Sequence, residues 1–110
     1  MKKSVLIIGM GKFGAHLAEK MQDLGHDVLI FDRNAASIER LATRFADAQI
    51  GDFTNEDVLR ELDIPSYDVV CITLGDDFEA SMITTMLLKR LGARYVITRA
   101  RSEIECDLLR

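Results

Sequence analysis

The feature that most constrains this chain is how its first apolar run ends. Ser4-Val5-Leu6-Ile7-Ile8 has the unbroken apolarity of a strand buried on both faces, and it passes without a linker into Gly9-Met10-Gly11-Lys12-Phe13-Gly14. Phe13, Leu17, Met21 and Leu24 then recur at helical spacing, with Gly25 as a stop. A strand that turns through glycines directly into a helix is a phosphate-binding arrangement. Gly9 permits the tight turn, Gly11 lets the backbone approach a pyrophosphate, and Gly14 lets helix and strand pack closely. The loop residues Met10, Lys12 and Phe13 lie at the helix N-terminus, where unpaired amides and the positive dipole end favour an anion. Asp32 closes the second apolar run, where a carboxylate is placed to accept hydrogen bonds from ribose hydroxyls.

The rest of the chain repeats this alternation. Apolar runs at 4–9, 27–32 and 68–74 read as buried parallel strands, with weaker ones at 48–50 and 94–98. Helical spacing predicts helices at 13–24, 35–45, 56–62 and 78–91, with a last helix opening at Ser102 on a capping-box pattern with Glu105. Asn34 is a good N-cap for the second helix, whose apolar stripe is Ile38, Leu41, Ala42 and Phe45. In the fourth helix Met82, Ile83, Met86, Leu87 and Leu91 read as core. Strand and helix alternating five times predict an α/β fold, a doubly wound parallel sheet of the Rossmann type in the order 3-2-1-4-5. One domain over residues 1–110 is expected, ending within its last helix, with the C-terminal part of a longer parent absent. Ile104, Leu108 and Leu109 on that helix form a candidate docking face.

Charge narrows the function classes. Fourteen basic against eighteen acidic side chains argue against nonspecific binding to nucleic acid or anionic membrane, which needs a dominant basic face. The balance is uneven: eight Lys/Arg face fifteen Asp/Glu up to residue 84, and six face three beyond it. No apolar run approaches a membrane span or a signal-peptide core. Cys71 and Cys106 have neither metal-ligand spacing nor a disulfide framework, so a reducing cytoplasmic setting and no metal site are expected. No nucleophile elbow or acid–base pair stands out, and His16 and His26 lack the partners catalysis needs.

Other candidate site residues follow the strand ends. Lys12 is a cation within the loop, placed to reach a terminal phosphate. Arg33 reads as a surface residue, because Asp32 beside it opposes a 2′-phosphate. Gly51-Asp52-Phe53 follows the third strand on the ligand side of the sheet. Asp52 there is either an acceptor for an adenine amino group or a turn acid, and Phe53 packs on a base or on the sheet. Gly75-Asp76-Asp77 ends the fourth strand and caps the next helix, near a ribose or phosphate. Arg99 and Arg101 follow the fifth strand, facing a polyphosphate, a partner subunit or solvent.

Taken together, Val5 to Gly14, Asp32-Arg33-Asn34 and Gly51-Asp52 resemble the nucleotide-binding half of the RCK/KTN (TrkA-N) family, the cytosolic regulators of potassium channels and of Trk/Ktr-type potassium uptake systems. The stretch Ile72 to Ser81, then Thr84-Thr85-Met86-Leu87-Leu88-Lys89, is the more specific part, and Val96 to Arg101 matches the family's fifth strand and its basic end. The resemblance implies a regulator rather than an enzyme. It implies binding of ATP and ADP, or of NAD and NADH, in a homodimer that assembles into a ring beneath a membrane potassium transporter or channel. That places the chain in the cytoplasm, peripheral to the membrane's inner face through its partner and not inserted in it. Gly9, Gly11 and Gly14 would then hold phosphates, with Lys12 and Arg99 as cationic contacts, Asp32 on ribose, and Asp52 and Phe53 at adenine. Lys12 stands where these regulators often carry arginine, so the charge is kept and the bidentate geometry lost. The alternatives are the cofactor domain of an NAD-dependent dehydrogenase lacking its catalytic half, and a nucleotide-free dimerisation domain.

Overall fold

The sheet forms around three central strands whose apolar residues are buried on both faces. In the computed structural model, which describes residues 2–75 and 77–98, β1 (Ser4–Ile8), β2 (Asp27–Asp32), β3 (Asp47–Ile50), β4 (Val69–Ile72) and β5 (Val96–Thr98) form one sheet in the order β3-β2-β1-β4-β5. Every pairing is parallel. Adjacent residues on a strand point to opposite faces, and the core divides accordingly. Leu6, Ile8, Leu29, Phe31, Val70 and Ile72 join Phe53, Leu59, Ala80 and Leu88 on one face. Val5, Ile7, Val28, Ile30 and Cys71 join Ala18, Ile38, Leu41 and Phe45 on the other. Burial pushes the Cys71 thiol up to about 11, so it behaves as a small core side chain.

The helices α1 (Lys12–Asp23), α2 (Ala35–Leu41), α3 (Glu56–Arg60) and α4 (Phe78–Arg90) connect the strands. α1 begins and ends one residue earlier than the sequence pattern, and the other three helices end earlier, α2 by the most. The segment after α2 tightens into a turn, with the Arg44 amide bonded to the Leu41 carbonyl. That brings Phe45 into the core and leaves Ala42 exposed. β4 ends at Ile72, opposite the last residue of β1. A short 3₁₀ turn, Ile64–Ser66, carries Pro65 between α3 and β4.

Two apolar stripes are corrected in part. On α1 the fully buried residues are Gly14 and Ala18, while Phe13 is 42% and Leu24 71% exposed. The helix meets the sheet closely at these two small residues, while the expected Leu17 and Met21 pack partly buried against the same core. On α4 the core face is Ala80, Thr84 and Leu88, spaced four apart, with the expected Leu87 and Leu91 packed partly buried against it, while the expected Met82, Ile83 and Met86 face outward. The Thr84 hydroxyl is buried because it donates to the Phe53 carbonyl at 3.2 Å. That bond makes a threonine, where the pattern favoured methionine, the inward position. The helix expected from Ser102, with its docking face, lies outside the described residues. No helix among the described residues is long and apolar enough to cross a membrane.

Candidate functional site

The strand order reverses beside β1: the chain runs outward through β2 and β3, then returns to place β4 on the other side. Such a reversal opens a crevice beyond the carboxyl ends of the strands. A cavity of about 590 Å³ lies there, lined by Gly9 to Gly14, by Asp32, Arg33, Asn34 and Ser37, by Phe53, and by Thr73, Leu74, Gly75 and Asp77. That size suits a mononucleotide or dinucleotide.

The loop's geometry follows from what surrounds each glycine. Gly9 has φ +103°, and a Cβ on it would overlap the Thr73 carbonyl. A Cβ on Gly14 would overlap the Gly9 carbonyl and stand 2.5 Å from the Thr73 hydroxyl oxygen. That hydroxyl donates to the Gly9 carbonyl at 2.7 Å, tying β4 to the loop. Gly11 differs: beyond its own chain neighbours, no atom lies within 4 Å of where its Cβ would stand. The space is open at the start of α1. Gly11 is the N-cap, no side chain caps the helix, and Lys12 opens it. Lys12 makes no ion pair among the described residues.

Asp32 is built into the same loop. One carboxylate oxygen accepts the Met10 amide at 2.5 Å and the other the Asn34 amide at 3.0 Å. Met10 therefore contributes a backbone already in use, and its side chain is buried in the core. The carboxylate keeps lone pairs for further donors, such as ribose hydroxyls. Arg33 lies over the Phe53 ring at 5.1 Å and pairs with Asp77 at 3.1 Å. Phe53 is 1% exposed, so its ring serves the core and supports Arg33.

Ten of the expected site residues meet at this cavity: Gly9, Met10, Gly11, Lys12, Phe13, Gly14, Asp32, Arg33, Phe53 and Gly75. Asp52 is not among the lining residues. Its carboxylate accepts the Thr54 hydroxyl at 2.6 Å and the Thr54 amide at 2.9 Å. Those two bonds, with the Arg33 charge, hold it below the usual carboxylate range. Arg99 lies outside the described residues. Sequence reasoning missed Thr73, Leu74 and Ser37. Thr73 was visible as a polar interruption closing an apolar run, and Ser37 as a small polar residue in the first turn of α2. No group of three or more His, Cys, Asp or Glu residues suited to a metal ion occurs among the described residues.

Residues 5–110 match the TrkA-N domain family. The chain is 32% identical over 103 residues to Ktr system potassium uptake protein C of Bacillus subtilis (strain 168), covering 94% of this chain and 47% of that protein. It is 31% identical over 107 residues to Ktr system potassium uptake protein A of Vibrio alginolyticus, covering 97% of this chain and 49% of that protein. The chain thus spans about half the length of these curated relatives. Among solved structures, the NAD(P)-binding domain of an exopolyphosphatase-related protein from Archaeoglobus fulgidus superposes with a TM-score of 0.83 at 28% identity, over 96% of this chain and 79% of that one.

Proposed function

The chain belongs to the TrkA-N domain family, and from that premise we propose that it is the adenine-nucleotide sensor of a potassium uptake system and not an enzyme. The observation that carries this reading is the cradle at Gly11. It is a helix start without a side-chain cap, opening on a cavity at the sheet's reversal point, with Lys12 beside it and Asp32 across it. The ligand is ATP and ADP, or NAD and NADH. Its phosphates lie on the first amides of α1, with Lys12 at the terminal phosphate and its ribose on Asp32. Its adenine lies toward Arg33 and Gly75. The two Ktr relatives support a potassium-uptake role, and the NAD(P)-binding domain from Archaeoglobus supports binding of an adenine dinucleotide.

The bound nucleotide acts by population shift: ligands that differ in terminal phosphate or redox state favour different arrangements of two copies, and only differential contacts shift such an equilibrium. The second copy is expected against the outward face of α4, where Met82 and Met86 are 50% and 61% exposed beside Ile83. A membrane potassium transporter or channel subunit then reads the arrangement from the cytoplasmic side.

Calorimetric titration with ATP, ADP, NADH, NAD and NADPH tests the proposal. Binding of the adenine nucleotides, weakened throughout by Asp32→Ala, supports it. Lys12→Ala should lower affinity for ATP more than for ADP, and equal losses would remove Lys12 from the terminal phosphate. Tight binding of NADPH alone would make the chain a reductase fragment, and no binding at all a structural domain.

A further inference from the structure

The adenosine end of the cavity contains an ion pair that the reading above leaves unused. Arg33 follows Asp32 off the end of β2, and its Nη2 lies 3.1 Å from Oδ2 of Asp77 at the start of α4. Asp77 is fixed from its other side, because Oδ1 accepts the Ala80 amide at 3.0 Å. The guanidinium is fixed as well, lying over the Phe53 ring at 5.1 Å. Asp52 also feels the Arg33 charge, so a single cation serves acids on two segments, Asp52 and Asp77. An arginine next to the ribose-binding acid is the usual partner of a 2′-phosphate. Here the arginine is in that position but already engaged. A 2′-phosphate could draw it away only by leaving Asp77 unpaired beside other carboxylates.

We propose that Asp77 is a specificity-determining residue of the nucleotide site. By holding Arg33 to itself and over Phe53, it withholds the cation that a 2′-phosphorylated adenosine needs, so the site takes adenosine ligands with a free 2′-hydroxyl. Asn34 and Ser37, the other lining residues at this end, bring no positive charge. The inference rests on the nucleotide reading proposed above and adds to it which adenosines are admitted.

The test compares two ligand pairs, each differing only in the 2′-phosphate: AMP with adenosine 2′,5′-bisphosphate, and NADH with NADPH. The chain should prefer the unphosphorylated member of each pair. Asp77→Asn keeps an oxygen for the Ala80 amide and removes the charge, so the preference should narrow by about fivefold, the scale of one exposed ion pair. Adding Arg33→Ala to Asp77→Asn should restore the original preference. An unchanged ratio in Asp77→Asn, or a narrowing that survives Arg33→Ala, overturns the inference while leaving nucleotide binding intact. If no member of either pair binds the unmodified chain, the nucleotide reading itself falls, and this inference with it.

Discussion

Two helices start side by side at the carboxyl edge of the sheet, α1 after β1 and α4 after β4, and they start differently. α4 begins on Asp77, whose side chain accepts the Ala80 amide and pairs with Arg33. Its positive end is answered by the chain's own carboxylate. α1 begins on Gly11 with no side-chain cap, and its first turn opens on the cavity. Every helix has unpaired amides at its start, satisfied by side chains, water or ligands. The same fold therefore closes one helix start internally and leaves its neighbour to something from outside. Around α1 the loop is rigid for internal reasons, since Gly9 and Gly14 are packed against Thr73 and against each other.

Breaking the rigid part should have the largest effect. Gly14→Ala forces a methyl into the Gly9 carbonyl and should cost roughly 3 kcal/mol of stability, as overpacking in a close-packed site does. A urea midpoint equal to that of the unmodified chain would mean the loop yields and is not rigid. Gly11→Ala sharpens the contrast, because its methyl meets no atom beyond its own chain neighbours. Stability should change by no more than about 1 kcal/mol, since φ is −72° and alanine tolerates it. Affinity for ATP and ADP should nevertheless fall by at least about tenfold, the scale of one lost charge-assisted contact. Retained affinity would place the phosphates elsewhere.

The smallest effect concerns the closed helix. The Ala80 amide, and then Arg33, hold the Asp77 carboxyl below the usual carboxylate range. A depressed carboxylate pKa stabilises the fold above its unfolded value, and that stabilisation is lost as pH falls below about 4. Asp77→Asn cannot titrate, so its thermal midpoint should decline less steeply through that acid range. Parallel declines would show that the cap contributes nothing through its charge. No comparable change at α1 is expected, because Gly11 carries no titratable cap.

Much of this was readable from residues in order. Buried central strands, glycines between strand and helix, and a cap such as Asn34 are local properties, and each appears where the local pattern puts it. The strand order follows from alternation and the rules of parallel crossovers. The faces of α1 and α4 were readable only in part: Leu17, Met21, Leu87 and Leu91 pack on the core as expected, and the other stripe residues do not. Hydropathy ranks methionine and phenylalanine as inward residues, yet the residues fully buried are Gly14 and Ala18 on α1 and Ala80, Thr84 and Leu88 on α4. Asp52 and Asp32 show the same division. Both are acids at strand ends, but Asp52 is turned onto Thr54 while Asp32 reaches across to the Met10 amide.

By itself, the sequence determined a parallel α/β sheet with a phosphate-type loop after its first strand, because periodicity, turn glycines and caps act over a few residues. The tertiary structure alone decided which helix start stays open, which glycines the fold requires and where Arg33 is held. Those outcomes depend on Thr73, Phe53 and Asp77, which lie far along the chain from the loop and meet it only when β4 folds beside β1.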